Sequence, residues 1–302
     1  IIKKIINTFD LMHKAGFVNI VGNPNVGKST LMNSLVGEKL SIITSKAQTT
    51  RHRILGIVNG EEFQLVLSDT PGVIKPSYEL QSSMMDFVKT AIDDADILIY
   101  MIEIGESSLK DENLFNKIKS SSIPVVVLIN KIDLSNQEEL ENQVSEWSKK
   151  LPNAEIFPIS ALKEFEVDNL LQRLIELLPE CPPYFPKDQL TDKPERFFVN
   201  EIIREKILIN YNKEIPYSVE ILTEEFKEDQ KIIRIRSVIM VERNSQKGII
   251  IGHKGSALKK IGIESRKDLE TFFGKQIYIE LFVKVNKNWR SNHKQLKRFG
   301  YK

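Results

Sequence analysis

The chain has 302 residues, room for two domains of ordinary size. With 41 % hydrophobic residues, 28 % charged residues and a net charge of only +2, it cannot be a mainly disordered chain. A single cysteine, Cys181, excludes an internal disulfide framework and a cysteine zinc cluster and favours a reducing, cytoplasmic setting, while apolar runs such as Val125 to Ile129 are too short to span a bilayer.

In chain order, residues 1–13 form a short extension of alternating apolar and basic residues, with Met12 a candidate natural start. They match neither a signal peptide nor a membrane anchor. A first module is expected over 14–180. Phe17–Val21 predicts a buried parallel strand and Thr30–Leu35 a helix. Between them stands the loop Gly22, Asn23, Pro24, Asn25, Val26, Gly27, Lys28, Ser29, then Thr30, with the G-x-x-x-x-G-K-S spacing of a phosphate-binding loop. Its glycines let backbone N–H groups turn toward phosphate oxygens, and the helix N-terminus adds positive potential. Lys28 suits the β- and γ-phosphates, and the Ser29 hydroxyl suits Mg²⁺.

Glu62–Leu67 predicts a second strand, followed by Asp69-Thr-Pro-Gly72. Asp69 is placed to hold Mg²⁺ through water, and Gly72 to offer its N–H to a γ-phosphate. Val125–Ile129 predicts a third strand, ending in Asn130, Lys131 and Asp133. An aspartate there accepts two hydrogen bonds from the guanine edge, a donor pair adenine lacks. Asn130 suits the base edge or the phosphate loop, and the Lys131 stem suits the base plane. Ile156–Ile159 predicts a fourth strand before Ser160, Ala161 and Leu162, where the Ala161 N–H faces guanine O6.

Four motifs in this order, each after an apolar strand, resemble a Ras-like G domain: an α/β fold with a mostly parallel sheet. The resemblance implies GTP and Mg²⁺ binding and hydrolysis to GDP. It also implies that a threonine of the polar loop Ser41–Arg53 closes over the metal; Thr50 is the first choice and Thr49 the second. In that loop Arg51 and Arg53 are either ligands for phosphate or RNA or solvated loop charges. Val73 stands where the Ras-like pattern has a water-orienting glutamine, so slow intrinsic turnover is expected. Asn25 either shapes the loop or, as in GTPases with a similar loop, helps to hold an activating K⁺. Lys28, Thr50, Gly72 and Asn25 are the catalytic candidates.

Five prolines between Leu178 and Arg196 predict an extended linker, set at 181–195. Charge changes there as well. Residues 1–180 carry a net −7, and residues 181–302 a net +9. Beyond the linker the expected order is helix (196–210), two strands (217–226 and 231–241), helices, a strand (276–285) and a basic helical tail (289–298). The turn Gly252, His253, Lys254, Gly255, with Lys259 and Lys260 on the helix behind it, allows close approach of a nucleic-acid backbone. This second module, 196–302, resembles an α+β K-homology (KH) domain of type II, whose G-x-x-G loop grips single-stranded RNA.

A G domain joined to such a domain resembles the Era-type family of bacterial GTPases. The resemblance implies a monomeric factor of small-subunit (30S) ribosome maturation that binds 16S rRNA near its 3′ end. It further implies cytoplasmic location; a basic tail such as Lys294–Arg298 suits either ribosomal RNA or the anionic inner membrane face. The alternative is an RNA-binding assembly module that holds GTP but barely turns it over, which Val73 favours.

Overall fold

A computed structural model describes residues 13–301. The expected extension therefore lies, except for His13, outside the described residues. Contacts divide the chain into two compact units. One holds the residues through Glu38, Arg53–Val73 and Val88–Asp192; the other holds Lys39–His52, Ile74–Phe87 and the residues from Lys193 on. The division thus interleaves along the chain, with 39–52 and 74–87 grouped with the C-terminal part.

The first unit is built on six strands: β1 (Lys14–Val21), β2 (Ile54–Asn59), β3 (Phe63–Asp69), β4 (Ile97–Glu103), β5 (Val125–Asn130) and β6 (Glu155–Pro158). Their spatial order is β2-β3-β1-β4-β5-β6. Every pairing is parallel except β2 with β3. A parallel sheet is covered on both faces, which is why β4 and β5 are almost unbroken apolar runs. Around the sheet run α1 (Lys28–Val36), α3 (Glu112–Lys119), α4 (Gln137–Lys150) and α5 (Val167–Leu177). Helix α2 (Glu79–Asp93) begins among the residues of the second unit and ends among those of the first.

The proline-rich stretch after α5 is extended, as its prolines require, but it is not a free spacer. Gln64, fully buried on β3, accepts the N–H groups of Tyr184 (2.7 Å) and Phe185 (2.9 Å) and donates to the Phe185 carbonyl (2.8 Å). Further along, Ile57 N–H on β2 donates to the Leu190 carbonyl at 2.8 Å, and Gly56 bridges to Thr191.

The second unit contains α6 (Glu195–Asn210), β7 (Glu220–Glu228), β8 (Ile232–Val241), α7 (Asn244–Ile251), α8 (Ser256–Phe273), β9 (Gln276–Val285) and α9 (His293–Arg298). Strand β8 is central, antiparallel to β7 and parallel to β9. Ile233, Ile235 and Ile239 of β8 alternate onto one face and meet Ile203 and Ile207 of α6 and Ile261 and Leu269 of α8 in one core. The isoleucine run before Gly252 belongs to α7: Ile250 is buried while Ile249 is exposed, as helical spacing dictates.

Candidate functional site

In the first unit the four motif loops all leave the C-terminal ends of parallel strands. Gly22 follows β1, and a Cβ there would stand 2.1 Å from the Met101 carbonyl. Gly27 takes φ 106°, and a Cβ there would strike the Asn130 side chain at 2.2 Å. Asn25 is exposed with φ 67°, a left-handed conformation that asparagine tolerates. Val26 is buried. The loop ends at α1, whose first residue, Lys28, is buried. Its ammonium donates to the carbonyls of Gly22 (3.1 Å) and Asn23 (2.8 Å). Burial pushes the Lys28 pKa down to about 8, against the opposing charges of Asp69 and Glu106.

Ser29 Oγ donates to Asp69 Oδ2 at 2.7 Å. A hydroxyl beside a carboxylate is the oxygen donor set that Mg²⁺ takes, with phosphates and water filling its shell. Among the described residues no cluster of three His, Cys, Asp or Glu side chains is placed to hold a metal ion. Val73 N–H donates to the Gly22 carbonyl at 3.0 Å, and a Cβ on Gly72 would stand 2.6 Å from Pro24 Cα. The Asp69–Gly72 turn is therefore locked against the phosphate loop.

The base side is tied to the same loop. Asn130 donates from Nδ2 to the Val26 carbonyl at 2.7 Å and accepts the Ala161 N–H at 2.9 Å. One side chain thus joins the phosphate loop, β5 and the Ser160–Leu162 turn. Ser160 Oγ donates to Asp133 Oδ1 at 2.5 Å, leaving that exposed carboxylate oriented. Lys131 has φ 66° and pairs with Glu103, and Leu162 is 74 % exposed.

Thr50 lies in the 39–52 segment, buried within the second unit. That segment is held by buried cations. Arg51 is not a solvated loop charge: it is 1 % exposed and donates to the carbonyls of Val219 (2.7 Å) and Pro216 (3.0 Å), with the Glu220 carboxylate 3.4 Å away. Arg204 on α6 donates to the Thr49 carbonyl and pairs with Glu201. Lys46 caps α6 through the carbonyls of Leu208 and Tyr211. In the first unit Arg53 forms a fork on Asp94 and reaches Ser68 Oγ at 2.6 Å. His52 stacks on Tyr301 with ring centroids 4.3 Å apart.

The G-x-x-G turn stands between α7 and α8. Gly252 has φ 71°, and a Cβ there would meet the Ala257 Cβ at 2.6 Å; Lys254, φ 49°, and His253 are exposed. Gly255 is the N-cap of α8, and Lys259 and Lys260 are exposed on its first turns. Beside the turn runs a groove of about 430 Å³, lined by Leu258, Gly262 and Ile263 of α8 and by Ile277, Ile279 and Leu281 of β9, together with Tyr278, Lys259 and Arg266. The groove wall was not visible in sequence, because β9 joins it only through folding. A lining that combines aliphatic side chains, the Tyr278 ring and two cations can pack against bases and neutralise phosphates.

The sequence model of a family described as 50S ribosome-binding GTPase matches residues 17–131, and that of the KH domain matches residues 214–290. GTPase Era of Geotalea daltonii is 45 % identical over 289 residues, covering 95 % of this chain and 97 % of its own. GTPase Era of Syntrophus aciditrophicus is 46 % identical, covering 96 % of each chain. A crystal structure of Era in complex with MgGDPNP and nucleotides 1506–1542 of 16S ribosomal RNA superposes with a TM-score of 0.91 at 42 % identity, over 96 % of this chain and 99 % of that one. A point variant of Aquifex aeolicus Era bound to GDP and AlF₄⁻ gives the same score, over 95 % of this chain. With a P-loop G domain, a KH domain and relatives matched over nearly their full length, the chain belongs to the GTPase Era family.

Proposed function

We propose that this GTPase binds GTP and GDP through Gly22–Thr30, Asp69, Gly72, Asn130, Lys131, Asp133 and Ser160–Leu162. Mg²⁺ is held by Ser29 and Asp69, with Thr50 completing its shell in the GTP state. The metal supplies charge neutralisation between the β- and γ-phosphates. Lys28 adds fixed positive charge, Gly72 an N–H donor, and Asn25 a ligand for an activating K⁺. The reading rests on one observation above others: Asn130 links the phosphate loop to the Ser160–Leu162 turn, so phosphate and base loops form one rigid cradle.

The second module, proposed to run from 196 to 302 after a connecting stretch at 181–195, grips single-stranded RNA. The G-x-x-G turn and Lys259 and Lys260 hold the backbone, and the groove beside β9 takes bases. The family's solved complex with 16S rRNA supports the 3′ end of that RNA, in the 30S subunit or its precursor, as the partner. The proposed setting is a cytoplasmic monomer whose basic α9 touches rRNA or an anionic membrane surface.

Single-turnover GTP hydrolysis with and without 16S 3′-end RNA, in K⁺ and in Na⁺, tests the reading. Slow turnover that K⁺ accelerates, and that Lys28→Ala abolishes, is expected. Equal rates in K⁺ and Na⁺ would remove the role given to Asn25. No turnover under any condition would leave a GTP-dependent RNA binder.

A further inference from the structure

The loop from Ile104 to Lys110 joins β4 to α3 and carries no nucleotide motif. Helix α4 fixes its backbone. Gln143 donates from Nε2 to the carbonyls of Glu103 and Glu106, each at 3.1 Å, and accepts the Gly105 N–H at 2.9 Å. Trp147 Nε1 donates to the same Glu106 carbonyl at 3.3 Å. Both side chains are buried. The Glu106 carboxylate takes the Glu103 N–H at 3.1 Å with one oxygen and the Asn23 amide with the other.

Asn23 is the second residue of the phosphate loop, and its buried side chain is used in full. Besides Glu106, Nδ2 donates to the Ser108 carbonyl at 2.9 Å, and Oδ1 accepts the Lys110 N–H at 3.1 Å. Its own main-chain carbonyl accepts Lys28 Nζ at 2.8 Å. A chain of partly buried hydrogen bonds therefore runs from α4, through the 104–110 loop, into the residue that seats the phosphate-loop lysine. Burial raises the Glu106 pKa, and the bonds from Glu103 and Asn23 hold its charge in place.

We propose that Asn23 and Glu106 are positioning residues that set the affinity of this GTPase for guanosine nucleotides, by fixing the first turn of the phosphate loop from the 104–110 loop. A phosphate cradle made of backbone N–H groups binds tightly only when it is ordered in advance. The inference rests on the nucleotide site assigned above.

A reciprocal exchange tests it, read as the affinity and dissociation rate of a fluorescent GDP on the full chain. Asn23→Asp alone sets two carboxylates face to face. Glu106→Gln alone offers one carbonyl oxygen to two donors. Each is expected to weaken GDP binding about 10-fold, with the KM for GTP rising in step; for Glu106→Gln, kcat at saturating GTP should change less than about 2-fold. The pair together restores amide against carboxylate but leaves the Ser108 carbonyl without its donor, and should bind GDP more tightly than either single variant, a coupling that independent sites do not show. Additive losses in the pair, unchanged binding in Asn23→Asp, or tighter binding in Glu106→Ala would overturn the proposal. Lys28→Ala runs alongside: normal GDP binding by that variant would overturn the site itself. Circular dichroism checks each fold, and if a single variant is unfolded the exchanged pair still decides.

Discussion

At the scale of single residues, the proposed nucleotide site is held by side chains with defined partners within the protein. Asp133 is oriented by Ser160 Oγ at 2.5 Å, so its exposed carboxylate is ready for two ring donors. Asp133→Asn should lower kcat/KM for GTP by about 10⁴-fold and favour xanthosine triphosphate, whose ring pattern is reversed. Competition between the two nucleotides measures it, and an unchanged guanine preference would count against the assignment. His52 is a second case. Burial first, then the charges of Arg204, Lys193 and Arg51, push its pKa down to about 3. The unfolded chain protonates His52 near pH 6.5 and the folded chain does not, so its contribution to stability is complete above that value and is lost as the pH falls toward 3. Denaturation between pH 7 and pH 5 should therefore cost His52→Phe less than the parent, by up to about 1 kcal/mol per pH unit. Residues such as Lys28, Asp69 and Asp133 were marked as candidates because their chemistry fixes their spacing. Glu106 was not, since its partner Asn23 stands 83 positions away and only the fold joins them.

At the scale of elements, strands β1, β3, β5 and β9 and helix α6 were legible because each carries one clean period and a turn signal at its end. The tail was read as a single helix, but Asn288 in a left-handed conformation closes a short 3-10 turn over Trp289–Ser291, and α9 restarts at the Asn292 cap. The G-x-x-G turn has a practical corollary. Any side chain at Gly252 strikes Ala257 and disturbs the first turn of α8, so the informative change is at an exposed position. Lys254→Ala should weaken RNA binding and reduce its salt slope by about 1, with GTP binding unchanged. Titration at several salt concentrations checks this. Residues 41–53 were expected to form a polar loop. Its two buried arginine systems were illegible because Arg204 lies 155 positions beyond Thr49. Arg51→Ala would leave Glu220 buried without its cation, and should cost the second unit about 3–5 kcal/mol in urea unfolding.

At the scale of the whole molecule, the net charge of +2 is the near-cancellation of an acidic nucleotide module and a basic RNA module. The interleaving of the units was not legible in sequence, because the segments after α1 and after Gly72 carry no signal of their own for where they pack. The first segment follows α1, the helix that begins in the phosphate loop, the second follows Gly72 and Val73, and both are grouped with KH residues. A GTP analogue and GDP should therefore differ in their effect on RNA affinity, by about 10-fold, and RNA should change nucleotide affinity by the same factor. Equal RNA binding in both states would leave two independent activities on one chain. The stretch pinned along β2 by Gln64 and Leu190 has a further consequence. Strand β2 is an outer strand of the sheet, and residues 190–192 occupy hydrogen-bonding groups that another chain could otherwise pair with. A G domain cut at 180 would expose that edge and aggregate by strand addition, whereas one cut after Asp192 would carry its own guard.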